Sequence, residues 1–385
     1  MNDITNQLEW ISRLVAFDTT SSVSNLALIE DIESYLHEQK VETFRVANDD
    51  GTKANLYALV GPKVPGGVVL SGHTDVVPVA GQDWATAPFT VIEKDDRLYG
   101  RGVADMKSFS AIGLSLVPEM LSANLKRPII FALSYDEEVG CLGAPSMIAE
   151  IADKLPKPDA VIVGEPTNMK VIDGHKGIAS FRVHVTGFTT HSSQTDRGVS
   201  AVEAAAKLIN KIAEMRAVRA ARADENSPFD PPYSTMTVNV VHGGTQLNIM
   251  AGEAFFEWDL RVVPGDSRED IIEEFTEYAR GVEAEMRAKA PGCRVEIEQM
   301  TNAPSLAPTP DNMAADIVKA ITGHNSTDVV GYAAEAGQFQ EAGFSVVICG
   351  PGSIDQAHQA NEYITLDQVK EGTKFMRRLI ERLSA

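Results

Sequence analysis

The stretch Val68-Val69-Leu70-Ser71-Gly72-His73-Thr74-Asp75 decides the fold class, because a short apolar run stops there at side chains of the kind that bind metals. Three more apolar runs have the same form and lead to further acids and a histidine: residues 129–133 before Asp136-Glu137-Glu138, 161–163 before Gly164-Glu165, and 346–348 before His358. Runs this short, apolar on both faces, are typical of buried parallel strands. We therefore predict an α/β fold with a mainly parallel sheet.

The ends of these four strands predict one common site. In an open parallel sheet, ligands bind beyond the carboxyl ends of the strands. Histidine and carboxylate ligands suit a hard or borderline divalent metal. Each motif taken alone fits a plain polar pair or an acidic surface loop equally well. Together, two histidines and three carboxylates suit two ions that share one carboxylate, and the absence of cysteine ligands favours a catalytic over a structural zinc site.

Length and composition narrow the class of protein. A chain of 385 residues is too long for one core, so we expect two domains. The formal net charge of −20 argues against nucleic acid or an anionic membrane as a partner. The N-terminus lacks signal-peptide features, and Cys141, Cys293 and Cys349 are widely spaced and odd in number. A cytoplasmic location with free thiols is therefore expected.

The pattern of apolar and polar residues changes after Gly177. Residues 178–186 alternate between apolar and polar side chains, which is typical of a strand with one wet face. The order β-α-β-β-α-β that follows is that of a ferredoxin-like layer. We therefore predict an inserted α+β lid or dimerisation domain at 177–299 within a catalytic domain formed by 1–176 and 300–385.

The residues around the candidate ligands allow several local roles. Asp105 stands just before a helix predicted from about Ser108 to Leu121, so by itself it reads as an N-cap. His73 and Asp75 are two residues apart, and in an extended chain Asp75 could accept from the ring nitrogen of His73 that faces away from a metal. Two adjacent acids, as at 137–138, can point to different targets. One can bind metal while the other handles a proton, or both can be plain surface acids.

These motifs in their order and spacing resemble the co-catalytic zinc amidohydrolase family, which includes acetylornithine deacetylases, succinyl-diaminopimelate desuccinylases, aminoacylases and some carboxypeptidases. The segments that carry the resemblance are Ser71–Pro78, Gly100–Lys107, Asp136–Glu138, Gly164–Thr167 and the late His358. The resemblance implies one zinc on His73, Asp105 and Glu165, and a second on Asp105, Glu138 and His358. It also implies that Asp75 orients His73, that Glu137 is the general base, and that the Asp105–Met106 peptide is cis. Co²⁺ or Mn²⁺ could replace zinc on such ligands.

In the inserted domain, the resemblance points to three residues. His191 matches a lid histidine that reaches across a homodimer and donates to the oxyanion; an exposed loop histidine is the alternative. Asn248 and Arg261 match positions that hold the substrate carboxylate, a group that a guanidinium binds well. For Arg261, a surface ion pair with Asp259 is an equally open interpretation.

The C-terminal part resembles most the members that act on acetylornithine, although Ala334 stands where those members usually have Thr. Glu335 is a candidate partner for the substrate ammonium, or else a structural acid near the sheet. Gly350 lies in a turn that would let the backbone approach the substrate. The resemblance implies hydrolysis of N2-acetyl-L-ornithine to L-ornithine and acetate, a step of arginine biosynthesis. Succinyl-diaminopimelate or varied N-acyl amino acids are alternative substrates, and a non-catalytic binding or dimerisation relative is a remote one.

Overall fold

The computed structural model describes residues 4–385, so the first three residues of the predicted 1–176 segment lie outside the described residues. The chain forms two compact units. The first unit runs to Gly174 and is completed by Leu306–Val329 and Ala334–Ala385. The inserted unit comprises His175–Ser305 with Val330–Ala333.

The described residues form ten α-helices and fifteen strands. The helices are α1 Thr5–Val15, α2 Leu26–Glu38, α3 Lys107–Ser115, α4 Val117–Ser122, α5 Ala144–Lys154, α6 Ala201–Ala220, α7 Arg268–Lys289, α8 Met313–Thr322, α9 Ala336–Glu341 and α10 Leu366–Ser384. The strands are β1 Glu42–Ala47, β2 Ala54–Val60, β3 Val68–His73, β4 Ile92–Lys94, β5 Arg97–Tyr99, β6 Ile129–Ser134, β7 Ala160–Pro166, β8 Ile172–His175, β9 Gly177–Thr186, β10 Thr235–Gly243, β11 Glu253–Val262, β12 Arg294–Ala303, β13 Asp328–Val330, β14 Val346–Gly350 and β15 Tyr363–Thr365. A short 3₁₀ helix spans Ile354–Gln356.

The central sheet has eight strands in the order β1-β2-β6-β3-β7-β14-β8-β13. Its middle four strands, β6, β3, β7 and β14, run parallel and are the four apolar runs of the sequence. All their residues are buried, as expected for strands covered on both faces. The predicted α/β class is therefore confirmed, and the four strand ends lie along one edge of the sheet.

Helix α3 fixes the position of the chain segment just before it. All nine residues of α3 are buried, and Phe109 and Ile112 belong to the main core of the first unit. Burying a side chain of this size contributes about 1.5–3 kcal/mol, so the helix is held firmly against the sheet. The prediction of one helix over 108–121 is wrong, since α3 ends at Ser115 and α4 begins at Val117. The reason is Pro118, which has no N–H and whose ring clashes with the carbonyl four residues earlier.

The inserted unit has the order β9-α6-β10-β11-α7-β12 with a four-stranded antiparallel sheet, β10-β11-β9-β12. Burial alternates along β9 and β11, so one face packs on the helices. Phe181, Trp258 and Phe275 form an aromatic stack there, with ring centroids 4.6 and 5.0 Å apart. Throughout residues 4–385, the helices are too short or too polar to cross a membrane.

Candidate metal centre

His73, the last residue of β3, stands at the centre of a buried polar cluster. Its Nδ1 donates to the main-chain carbonyl of Asp75 at 2.8 Å, while the Asp75 carboxylate lies 3.7 Å away. Its Nε2 faces Asp105 Oδ1 at 3.0 Å and Glu165 Oε1 at 3.8 Å. Because the Asp75 carbonyl accepts from Nδ1, Nε2 is the nitrogen that would give up its proton to bind a cation between the two acids.

The carboxylate of Asp75 has a different set of partners from the one predicted. It accepts from the main-chain N–H groups of Glu137 and Glu138 at 3.1 and 3.2 Å, and from the Ser21 hydroxyl at 2.7 Å. Strand β3 ends at His73, so the two-residue periodicity that would align the side chains of His73 and Asp75 no longer applies. Asp75 therefore holds the loop of the two glutamates with its side chain and the ring of His73 with its backbone.

Asp105 lies between two histidines and presents one oxygen to each. Oδ1 faces His73, and Oδ2 lies 3.2 Å from Nε2 of His358. The N-cap of α3 is Met106 and has no side-chain cap, so Asp105 does not cap the helix. The Asp105–Met106 peptide is cis, as the resemblance implies. A carboxylate with one oxygen toward each imidazole has the geometry of a bridge between two cations.

His358 closes the cluster on its open side. Its Nε2 is 2.9 Å from Glu138 Oε2, and its side chain is 54% exposed, so solvent and small molecules can reach the cluster here. Glu165 lies at the opposite, buried side, where its Oε1 has no hydrogen-bond partner. An orphaned carboxylate oxygen in a buried position indicates a missing positive partner.

Glu137 lies beside this cluster. Its Oε1 accepts from the Cys141 thiol at 3.3 Å, and candidate ligand atoms of His73, Glu137 and Glu165 all lie within 4.8 Å of one another. The same holds for His73, Asp105 and Glu138. Glu137 is therefore within reach of an atom bound in the cluster, whether as a ligand or as a base.

The pKa values of these groups reflect burial and crowding of like charges. Burial, with the neighbouring carboxylates of Glu138 and Asp105, raises the pKa of Glu137 to about 8. Burial also raises the pKa values of Glu138 and, strongly, of Glu165. For Asp105, burial is outweighed by hydrogen bonds from His358 and His73, which lower its pKa.

Divalent cations fit this cluster. Four acids and two histidines converge, and within residues 4–385 no Lys or Arg forms an ion pair with any of the four acids. Repulsion between desolvated carboxylates is relieved by a bound cation, which also satisfies the orphaned oxygen of Glu165. The imidazole and carboxylate donors suit zinc, cobalt or manganese.

Glu335 and Gly350 also lie in the first unit. The two oxygens of Glu335 accept from the hydroxyls of Ser71 at 2.5 Å and Ser134 at 2.7 Å, and burial raises its pKa. This favours the structural alternative for Glu335. A Cβ on Gly350 would lie 2.0 Å from the carbonyl oxygen of Gly164 and 2.6 Å from that of Glu165. A glycine is therefore required where β14 meets the strand that carries Glu165.

His191, Asn248 and Arg261 lie in the inserted unit. His191 is exposed, and its Nδ1 bonds to the Ser193 hydroxyl at 2.9 Å. The main-chain carbonyl of Asn248 accepts from the N–H of Ser192 at 3.0 Å, so Asn248 and His191 lie on neighbouring segments. Arg261 donates to Asp259 at 2.9 Å, which is the ion pair considered as its alternative role.

Sequence reasoning missed three residues that hold the loops of Asp105 and His358 in place: Gln82, Arg101 and Glu362. Glu362 is 1% exposed and accepts from the backbone of the Asp105 loop. Its position between Asn361 and Tyr363 carries no periodicity or local motif. The available signal was indirect, a glycine-rich Gly100-Arg101-Gly102 turn containing one arginine without an acidic neighbour in sequence.

The sequence comparison decides the family. The model of the peptidase family M20/M25/M40 matches residues 69–382. The chain belongs to this family. An acetylornithine deacetylase from Photorhabdus laumondii is 32% identical over 383 residues, which cover 98% of this chain and 96% of that protein. The expected family resemblance is thus confirmed, and the chain is a hydrolase of the M20 class.

Solved structures agree with the fold. An M20 family metallo-carboxypeptidase from Sulfolobus solfataricus superposes with a TM-score of 0.77 at 18% identity, over 98% of this chain and 99% of that one. A dinuclear metal-binding M20 peptidase from Bacillus subtilis gives a TM-score of 0.65 at 14% identity, with 98% of each chain covered. These similarities confirm an M20 fold with a catalytic α/β domain and an inserted domain.

Proposed function

We propose that this M20 hydrolase removes the acetyl group of N2-acetyl-L-ornithine, giving L-ornithine and acetate. The observation that carries the chemistry is the Asp105 carboxylate between His73 and His358, with Glu137 beside them. The substrate rests on the name of the relative that is 32% identical over nearly the whole chain.

Two divalent ions, zinc by preference, would be held by residues of the cluster. His73, Asp105 and Glu165 would hold one, and Asp105, Glu138 and His358 the other. The dinuclear metal binding of the Bacillus subtilis relative supports this assignment. When bound, such a pair lowers the pKa of a shared water and polarises the amide carbonyl.

Glu137 would serve as the proton carrier. It accepts the proton of the attacking water and then donates it to the nitrogen of the leaving amine. In the metal-free cluster its pKa is raised to about 8, and a nearby cation would lower it toward the range in which it acts as a base. The thiol of Cys141, 3.3 Å away, limits how far its carboxylate can turn.

The inserted unit would complete the site in a homodimer. We propose that His191 donates a hydrogen bond to the oxyanion in the active site of a partner subunit, which suits its exposed imidazole. Asn248 and Arg261 would bind the substrate carboxylate, and Arg261 would then exchange Asp259 for the substrate. A monomeric variant with full turnover would contradict this role of His191.

The substrate is tested by measuring kcat/KM side by side on N2-acetyl-L-ornithine, N-succinyl-L,L-diaminopimelate and N-acetyl-L-methionine with zinc-loaded protein. We expect the first to exceed the others by at least about 100-fold, the discrimination available from a few differential polar contacts. A higher value on the succinyl substrate would make the chain a desuccinylase, and similar values on all three an aminoacylase. No turnover on any of the three would overturn N-acyl amino acids as the substrate class.

A further inference from the structure

Arg101 and Glu362, which are buried, and the partly exposed Gln82 form a hydrogen-bonded group, called the clamp below, that joins the loops of Asp105 and His358. Arg101 is 1% exposed, as is Glu362, and the two are paired at 2.8 Å between Nη1 and Oε2. Neither residue belongs to the ligand set. A buried ion pair is weak evidence for stability by itself, so its hydrogen bonds must be followed outward.

Glu362 accepts hydrogen bonds from three backbone N–H groups of the Asp105 loop. Its Oε2 accepts from the N–H of Gly102 at 3.0 Å, and its Oε1 from those of Ala104 at 2.8 Å and Asp105 at 3.1 Å. With Arg101, four donors converge on two oxygens. Charged hydrogen bonds of this kind are roughly twice as strong as neutral ones, so the main chain of Asp105 is fixed by Glu362.

Gln82 holds the His358 loop from the other side. Its amide nitrogen donates to the main-chain carbonyl of His358 at 2.8 Å, and its Oε1 accepts from Arg101 Nη2 at 2.5 Å. His358 has φ of 63°, the left-handed region that side chains disfavour. Such a conformation persists only where the surroundings determine it, and the bond from Gln82 is one such restraint.

We propose that the clamp is a positioning device for one ion of the pair, the one assigned to Asp105, Glu138 and His358. Two of its three ligands depend on the clamp, Asp105 through its N–H and His358 through its carbonyl. The other ion also uses Asp105, but His73 and Glu165 are fixed at the ends of buried strands. Loss of the clamp should therefore weaken one ion far more than the other. This inference rests on the two-ion assignment of the proposed function.

The test is a titration of metal-free protein with buffered Zn²⁺ that measures the affinity of each of the two ions. In Glu362→Gln, an amide nitrogen replaces one carboxylate oxygen and can no longer accept hydrogen bonds. Arg101 also loses its charged partner. We expect the affinity of one ion to fall about 10- to 100-fold, the usual effect of losing a residue that supports a ligand, while the other stays near its wild-type value. Excess Zn²⁺ should restore kcat.

A second variant and a control guard against simple misfolding. Gln82→Met keeps the side-chain length in a partly exposed position and removes the bond to His358. It should weaken the same ion about fivefold, the factor of one neutral hydrogen bond. Glu119→Gln is the control. It changes an acid of the same unit that is paired with Arg377 on the surface, at 2.9 and 3.0 Å, and it should leave the affinities of both ions unchanged.

Each result has one meaning. Selective weakening of one ion in Glu362→Gln or Gln82→Met supports the clamp. Wild-type affinities for both ions, or an equal loss at both, in the variants that fold would overturn it. If wild-type protein bound fewer than two ions, the two-ion assignment would fall and the clamp with it. A two-ion wild type with unaffected clamp variants overturns the clamp alone.

Discussion

The two sides of the metal cluster are built by different means. His73 and Glu165 belong to the parallel strands β3 and β7, and the sheet itself fixes their backbone. Glu138 and His358 lie in loops, and His358 is half exposed with a left-handed backbone. The backbone of the first side, called the strand side, is therefore fixed by secondary structure. The second side, called the loop side, depends on side chains that reach across from distant segments. Asp105 belongs to both sides.

The largest expected effect concerns Glu137, which is assigned to neither side of the cluster. Glu137→Gln removes the proton carrier while leaving the five assigned ligands in place. We expect kcat on N2-acetyl-L-ornithine to fall about 100- to 10,000-fold, the range for general acid–base catalysis, with two zinc ions still bound by elemental analysis. Wild-type turnover in this variant would exclude Glu137 as the base, and loss of an ion would make it a ligand.

Alanine at each histidine compares the two sides directly. Both variants should lose one ion. His73→Ala should also destabilise metal-free protein by about 3–5 kcal/mol, because it leaves buried acids without their partner. His358→Ala should cost less, about 1–2 kcal/mol, since its imidazole is half exposed and water can replace it beside the buried side chains of Asp105 and Glu138. Urea unfolding of the metal-free proteins measures both values, and equal losses would contradict the proposed asymmetry.

The strand side can be strained without replacing the side chain of an assigned ligand. In Gly350→Ala, the new Cβ would clash with the backbone of Gly164 and Glu165, and we expect a loss of about 1–3 kcal/mol together with weaker zinc binding. Gly281→Ala is the control, since no atom lies within 4 Å of its Cβ and a helical alanine should stabilise by up to about 1 kcal/mol. Unchanged stability in Gly350→Ala, measured by urea unfolding, would show that β14 and β7 can move apart.

The smallest expected effect concerns Glu335, which accepts hydrogen bonds from Ser71 of β3 and Ser134 of β6. Glu335→Gln retains one acceptor for Ser71 or Ser134, so we expect a loss of about 1 kcal/mol in unfolding free energy. KM for N2-acetyl-L-ornithine should change less than about twofold, since no substrate contact would be removed. A tenfold rise in KM at unchanged stability would instead place Glu335 at the substrate ammonium.

The strand side was predictable from sequence because each of its candidate ligands, His73 and Glu165, lies at the end of a buried apolar run. The register of parallel strands then aligns the ends, as where His73 of β3 lies beside Ser134 of β6. The inserted unit was predictable in class for the same reason, since alternation along β9 shows which face is buried. In these regions, local pattern and tertiary structure coincide.

The loop side was less predictable because its determinants are distant in sequence. Glu362 bonds to the N–H of Asp105 across 257 residues, and Gln82 to the carbonyl of His358 across 276. Asp75 shows the same limit of sequence patterns. It contacts the ring of His73 through its main-chain carbonyl, and its carboxylate turns to the loop at 137–138 because the chain leaves the strand after His73. Periodicity describes regular elements and carries no information where they end.

The proposed function depends on two ions that share Asp105, one on the strand side and one on the loop side. Its most direct test is a crystal structure of zinc-soaked protein with anomalous diffraction at the zinc edge. We predict two peaks, one ligated by His73, Asp105 and Glu165 and the other by Asp105, Glu138 and His358, with Glu137 bound to neither. A single peak, or a peak with Glu137 among its ligands, would contradict the account.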